Sequence, residues 1–122
     1  MGWSLETPGG ESIDVNAWNW RPTLVLLAQY DLLDAEKLEL LGYNCFERVT
    51  GEEAGRIAAF LDDYLATVPD DGRVRLDGSV TTEPDDYQLQ GEDPAKNYSA
   101  AHAWLTEFRD FCRQADDGFV AG

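Results

Sequence analysis

The segment Asn16-Ala17-Trp18-Asn19-Trp20-Arg21-Pro22 constrains the chain more than any other. It gathers two of the four tryptophans, the first basic residue and a proline within seven positions. Pro22 has no backbone N–H and a φ already near the helical value, so it suits the first turn of a helix. A mostly buried helix is therefore predicted over Pro22–Asp31. Trp18 and Trp20 fall just before it, where large rings fold back over the first turn. Arg21 carries the wrong sign for a helix N-terminus, so a carboxylate or a tryptophan face must hold it. The plain reading makes both rings core and Arg21 a structural ion-pair partner. The sharper reading is an aromatic-plus-arginine recognition surface, because these residue types are enriched at binding hot spots. The plain reading is favoured, since a small domain has few large side chains to spare.

A chain of 122 residues is one domain, 1–122, and its 43% hydrophobic content is enough for a real core. A domain of this size buries roughly two-thirds of its unfolded surface, so it needs no disulfide or metal. Cys45 and Cys112 form no CxxC pair, and one histidine cannot complete a typical zinc set. Cys112 falls on an apolar helical face and reads as a buried free thiol. The N-terminus lacks the basic and apolar regions of a signal peptide. No apolar run approaches the ~20 residues of a membrane span. The expectation is a soluble, cytoplasmic protein.

The net charge is −15, from 24 acidic and 9 basic residues. That argues against nucleic acid and anionic membranes as partners. Three explanations compete: steering toward a basic partner, mimicry of nucleic-acid charge, or adaptation to the host's cytoplasm. Only Lys37 and Lys96 are lysines, and aspartate outnumbers glutamate. This balance fits a GC-rich or salt-adapted source. For the charge taken alone, the solvation reading comes first and the basic partner close behind.

The first fifteen residues read as a β-hairpin. Trp3, Leu5, Ile13 and Val15 alternate with polar residues around the turn Thr7-Pro8-Gly9-Gly10. Asp34 caps a short helix over Ala35–Leu41, with Gly42 as its stop. Tyr43–Glu47 is a connector with room for one short strand. Thr50-Gly51-Glu52-Glu53 matches the capping box, and Ala54, Ile57, Ala58, Leu61, Leu65 and Val68 follow helical spacing until Pro69. The stretch from about 69 to 94 is a polar loop and hairpin insert. Asp77-Gly78 there suggests a two-residue type I′ turn. An acidic lid is its functional alternative. A last helix is predicted from about Ala95 to Ala115, with Asp93 as cap and Pro94 at its first position. Tyr98, Ala101, Leu105, Phe108, Phe111, Cys112 and Ala115 form its apolar stripe. Gly118 ends it, and Phe119-Val120 reads as a short strand or tail.

No complete catalytic motif emerges. His102 stands alone, with no nucleophile elbow, and reads as an exposed helix residue. The paired carboxylates Glu52/Glu53, Asp62/Asp63, Asp70/Asp71, Asp85/Asp86 and Asp116/Asp117 arise by chance in so acidic a chain. The Asp-Asp-Gly triplets lack the spacing of a calcium loop, and no glycine motif cradles phosphate. Arg73 and Arg75 share a hairpin face as a small basic clamp or as ion-pair partners. No cofactor and no metal are expected.

Asn16–Pro22 resembles an N-x-x-x-W-R-P element near the start of a family of small bacterial and phage proteins. In that family the WRP helix precedes a tyrosine-asparagine connector, here Tyr43-Asn44. A helix with E-x-A-x-x-I/L-A follows, here Glu53–Ala58. An aromatic helix then runs into Gly-Phe, here Phe108–Phe111 and Gly118-Phe119. The resemblance covers most of the chain outside the 69–94 insert. It implies one compact fold and transfers no activity or site residues.

The expected fold is α+β but mainly α: three or four packed helices with one or two short β-hairpins. The expected function is that of a non-enzymatic acidic binding protein, of the inhibitor or immunity type, for a basic protein partner. It would be a monomer or weak homodimer. The alternative is a small-ligand-binding domain with a salt-adapted surface, which a deep pocket at Trp18, Trp20 and Arg21 would mark. A hydrolase using His102 or a carboxylate pair ranks third. The binding residues expected are Trp18, Trp20, Arg21, Tyr43 and Asn44.

Overall fold

The computed structural model describes residues 2–43, 45–82 and 99–122. The chain opens with the expected hairpin, β1 (Gly2–Glu6) against β2 (Ser12–Asn16), in the register Trp3↔Val15 and Leu5↔Ile13. Its period of two sends Trp3, Leu5 and Val15 into the core while Ser4, Glu6 and Asp14 face water.

Helix α1 spans Ala17–Gln29 and starts earlier than predicted. Asn16 is a better start signal than Pro22, because its Oδ1 accepts the Asn19 N–H at 3.0 Å and so satisfies a free end amide. Pro22 therefore sits inside the helix, buried, where its ring nitrogen has no N–H to donate. Trp18 and Trp20 belong to the helix rather than preceding it. Helix α2 (Ala35–Leu41) begins at Asp34, as its cap signal indicated, with Asp34 Oδ1 accepting the Lys37 N–H at 2.7 Å. Strand β3 (Glu47–Val49) leads into α3 (Gly51–Leu65), whose capping box is complete.

Strands β4 (Arg73–Arg75) and β5 (Val80–Thr81) form the polar hairpin, with Val74 opposite Val80. Its turn is not the type I′ pair expected. Gly78 is at φ +86° but Asp77 is not at positive φ, and the Gly78 N–H reaches the Arg75 carbonyl at 2.9 Å. This is a three-residue loop with glycine in the left-handed position, the alternative solution to strand twist.

The final helix, α4, spans His102–Gln114 and is also shorter than predicted. Ser99–Ala101 is instead strand β6, paired with β4. Alanines at 100 and 101 favour helix locally, but two tertiary contacts override them. The Arg73 Nε donates to Ser99 Oγ at 2.6 Å, and Asn19 Oδ1 accepts the Ala101 N–H at 2.9 Å. The proposed cap Asp93, Pro94 and stripe residue Tyr98 lie outside the described residues. Phe119–Ala121 is strand β7.

The strands build two antiparallel sheets, one ordered β2-β1-β7-β3 and one β5-β4-β6. Among the described residues 46% are helical and 23% extended, with four helices and seven strands. The expectation of a mainly α fold with one or two hairpins is thereby overturned. Strands β3, β6 and β7 have three residues each, too few to show alternation, and their pairing partners are remote in sequence. Helices α3 and α4 pack against each other, and Trp20, Leu41, Val49, Ile57, Leu61, Leu105, Phe108 and Phe119 fill the core. Asp62 of α3 accepts Arg113 and pairs with Arg109 across that seam. Both cysteines are free thiols, and burial raises that of Cys112. No helix among the described residues is long and apolar enough to cross a membrane.

Glu53 closes the α3 capping box and also binds Lys37 of α2 at 2.6 Å. Burial alone would raise its carboxyl. The Lys37 ammonium, the Thr50 amide and the Thr50 hydroxyl outweigh burial and hold it below its usual value of 4.5. The ionised form is therefore favoured in the fold. Its stabilisation is present above pH 4.5 and is lost as pH falls through the lowered native value. Urea unfolding is expected to show Glu53→Gln less stable than wild type at pH 7, by up to about 1 kcal/mol. The gap should shrink steadily as the pH is taken from 5 to 3.

Candidate functional site

The segment that dominates the sequence becomes a structural junction. Asn19 donates through Nδ2 to Asn16 Oδ1 at 3.1 Å and accepts from the Ala101 amide. Thr23 donates to the Asn19 carbonyl at 2.7 Å and accepts the Trp104 indole N–H at 2.9 Å. Trp20 is fully buried, and its Nε1 donates to the Leu41 carbonyl at 2.9 Å. Its ring stands edge-on to Trp104 and Phe108, with centroids 6.4 and 5.7 Å away. This edge-to-face geometry places ring edges against π faces.

Of the five residues expected to form a binding surface, four are described. Trp20 is inside the core. Trp18 is half-buried on α1. Arg21 is exposed, and its guanidinium lies 5.8 Å from the centre of the Trp3 ring. A tryptophan face is one of the two holders its position at a helix start demanded. Tyr43 is exposed beyond α2, and Asn44 lies outside the described residues. Core side chains surround Trp20, and its ring is fully buried.

A different surface stands out in the connector that carries Tyr43. Leu40, Tyr43 and Phe46 are 37%, 61% and 75% exposed. The segment is tightly wound: the Tyr43 N–H meets the Leu40 carbonyl at 3.1 Å, and the Cys45 thiol donates to the same carbonyl at 3.1 Å. Phe46 has φ +59°, a left-handed conformation that costs a bulky L-residue about 1–3 kcal/mol. Its ring rests against the backbone of Gly122. Glu36 and Glu39 are exposed on the adjoining helix. Sequence reasoning singled out Tyr43 but passed over Leu40 and Phe46. The available signal was three large apolar residues within seven positions on either side of the helix stop at Gly42.

His102 opens α4 with its amide bonded to the Gly72 carbonyl, and its Nε2 lies 3.9 Å from the exposed carboxylate of Asp70. No hydroxyl or thiol nucleophile is paired with its ring among the described residues. Nor do three metal-ligating side chains gather there. An open groove of about 320 Å³ lies between β2 and α4, lined by Glu11, Ser12, Ile13, Glu107, Asp110, Phe111 and Gln114.

No family model, curated protein or solved structure compared with the chain matches it.

The junction and the surface arginine should separate cleanly in stability. Thr23→Val leaves the buried Trp104 N–H unpaired and is expected to cost about 1–3 kcal/mol in urea unfolding. Arg21→Ala removes an exposed cation–π contact and should cost about 0.5–1 kcal/mol.

Proposed function

We propose that this chain is a non-enzymatic acidic binding protein, of the inhibitor or immunity type, whose target is a basic protein. The exposed knuckle formed by Leu40, Tyr43 and Phe46 is the contact centre. The observation that carries this reading is Phe46, a large aromatic side chain held in water by a strained backbone. Strain of this kind persists only where the surrounding structure over-determines it, and such positions cluster at functional sites. Tyrosine and other aromatics anchor interfaces when neighbouring polar groups exclude water around them. Here the exposed neighbours are the carboxylates Glu36 and Glu39 beside one cation, Arg48, so acid outweighs base and the complementary surface is basic. The net charge of −15 adds long-range attraction that accelerates encounter and weakens with salt. The resemblance to small bacterial and phage proteins with the N-x-x-x-W-R-P element is compatible with this role but supplies no activity of its own.

Affinity capture from the source organism's lysate, with wild type beside Phe46→Gly and Tyr43→Ala/Phe46→Ala, tests the reading. A basic protein is expected on the wild type at low salt, reduced at high salt and reduced at least ten-fold on both variants. A partner without basic character, or one retained equally by the variants, would overturn it. Phe46→Gly removes both ring and strain, so its stability should stay within about 1 kcal/mol of wild type. Binding loss then cannot be assigned to unfolding.

A further inference from the structure

Strand β2 is one edge of the four-stranded sheet, and its pairing shows which backbone groups it presents outward. Ser4 exchanges both hydrogen bonds with Gly122, at 2.7 and 3.0 Å, so its amide and carbonyl face β7. Backbone direction alternates along a strand, so Trp3 and Leu5 face β2 and bond Val15 and Ile13. Ser12 and Asp14 therefore turn their N–H and C=O groups away from β1. Among the described residues none of these four groups has a hydrogen-bond partner. An edge of this kind is a template for another strand.

The groove lies beside this edge. Half-buried Ile13 and buried Phe111 supply an apolar floor, and Glu11 and Glu107 are exposed on its rim. Asp110 also lines it, bonded to Arg109 at 3.0 Å. Among the described residues no lysine or arginine lines it. An apolar floor with a carboxylate rim complements a long cationic side chain, whose alkyl stem covers hydrocarbon while its charged head stays at the rim.

We infer that this edge receives an extended, basic segment of a partner protein as an added β-strand. The segment's backbone pairs with Ser12 and Asp14. A lysine or arginine on its inner face lies along Ile13 and Phe111 and reaches Glu11 or Glu107. Main-chain bonds provide affinity in such additions, and side-chain pockets provide selection. The same acids exclude a second copy of this chain, because edge-to-edge pairing would bring acidic β2 strands together. The inference rests on the reading of the protein as a binder of basic chains but uses another surface. Phe46 precedes β3, at the opposite edge of the same sheet, three strand spacings or about 14 Å away. One basic partner could engage both.

The test uses the whole chain and a ten-residue peptide alternating lysine with threonine. A second peptide of the same sequence and charge carries backbone N-methyl groups on alternate residues. The unmodified peptide is expected to protect the Ser12 and Asp14 amides from hydrogen exchange, followed by NMR. N-methylation of its pairing face should weaken binding at least ten-fold. Asp14→Pro removes an outward N–H at a position where an edge strand tolerates proline, and should weaken binding at least ten-fold. Asp14→Asn keeps that N–H and should weaken binding three-fold or less. Equal losses for the two variants, or binding blind to N-methylation, would reduce the site to diffuse charge attraction and overturn the inference. Dimerisation of the free chain through β2 would overturn it too. The methylated peptide decides the matter even if Asp14→Pro does not fold. Tyr43→Ala/Phe46→Ala should bind the peptide as wild type does. Peptide binding without lysate capture would sink the knuckle reading alone; capture without amide protection would sink the edge alone.

Discussion

The indole N–H of Trp20, closed on the Leu41 carbonyl, lies at the centre of the molecule's organisation. A buried tryptophan is tolerated when its one polar atom finds an acceptor, and here the acceptor is the end of α2. The ring then serves as the wall against which Trp104 and Phe108 of α4 stand. On the next turn of α1, Thr23 relays between the Asn19 carbonyl and the Trp104 indole. Asn19 itself satisfies an amide of β6. One turn and a half of helix thereby joins α1 to α2, to α4 and to the second sheet. Each polar group buried by this junction is paired, so specificity of orientation comes without an unpaired donor there.

Closure at the other end depends on the last strand. β7 enters between β1 and β3 and turns a hairpin and a three-residue strand into one sheet. Access to that slot requires the chain to reverse after α4 in very little space. Gly118 makes the reversal at φ +82°, and any side chain on it would run into the Val49 carbonyl. Gly51 is similarly pressed against the Asp116 carbonyl. The start of α3 and the end of α4 therefore meet backbone to backbone, which lets Phe119 reach Phe108 and Phe111 in the core.

The two edges of this sheet are where the fold remains unfinished as a surface. One edge adjoins the strained aromatic knuckle around Phe46. The other exposes the outward backbone groups of Ser12 and Asp14 beside a groove with an acidic rim. Both lie on a molecule whose long-range field attracts cations. The net charge of −15 opposes edge-to-edge pairing of two copies, and it is the ground on which a basic chain is proposed at each edge.

What the sequence by itself determined was local. Asp34, the Thr50–Glu53 box, the opening hairpin and the apolar spacing of α3 and α4 were legible, because each is specified by residues within one or two turns of one another. The tertiary structure decided the rest. Asn16 rather than Pro22 opens α1, and Ser99–Ala101 is strand rather than helix, because Asn19 and Arg73 offer partners that no local rule anticipates. Three short strands made the fold less helical than its periodicity suggested, since three residues carry no detectable alternation and their partners are far away in the chain. The same reason governs the site. Sequence shows that Trp20 and Phe46 are large and aromatic. Only packing decides that Trp20 is sealed inside while Phe46 is held out in water.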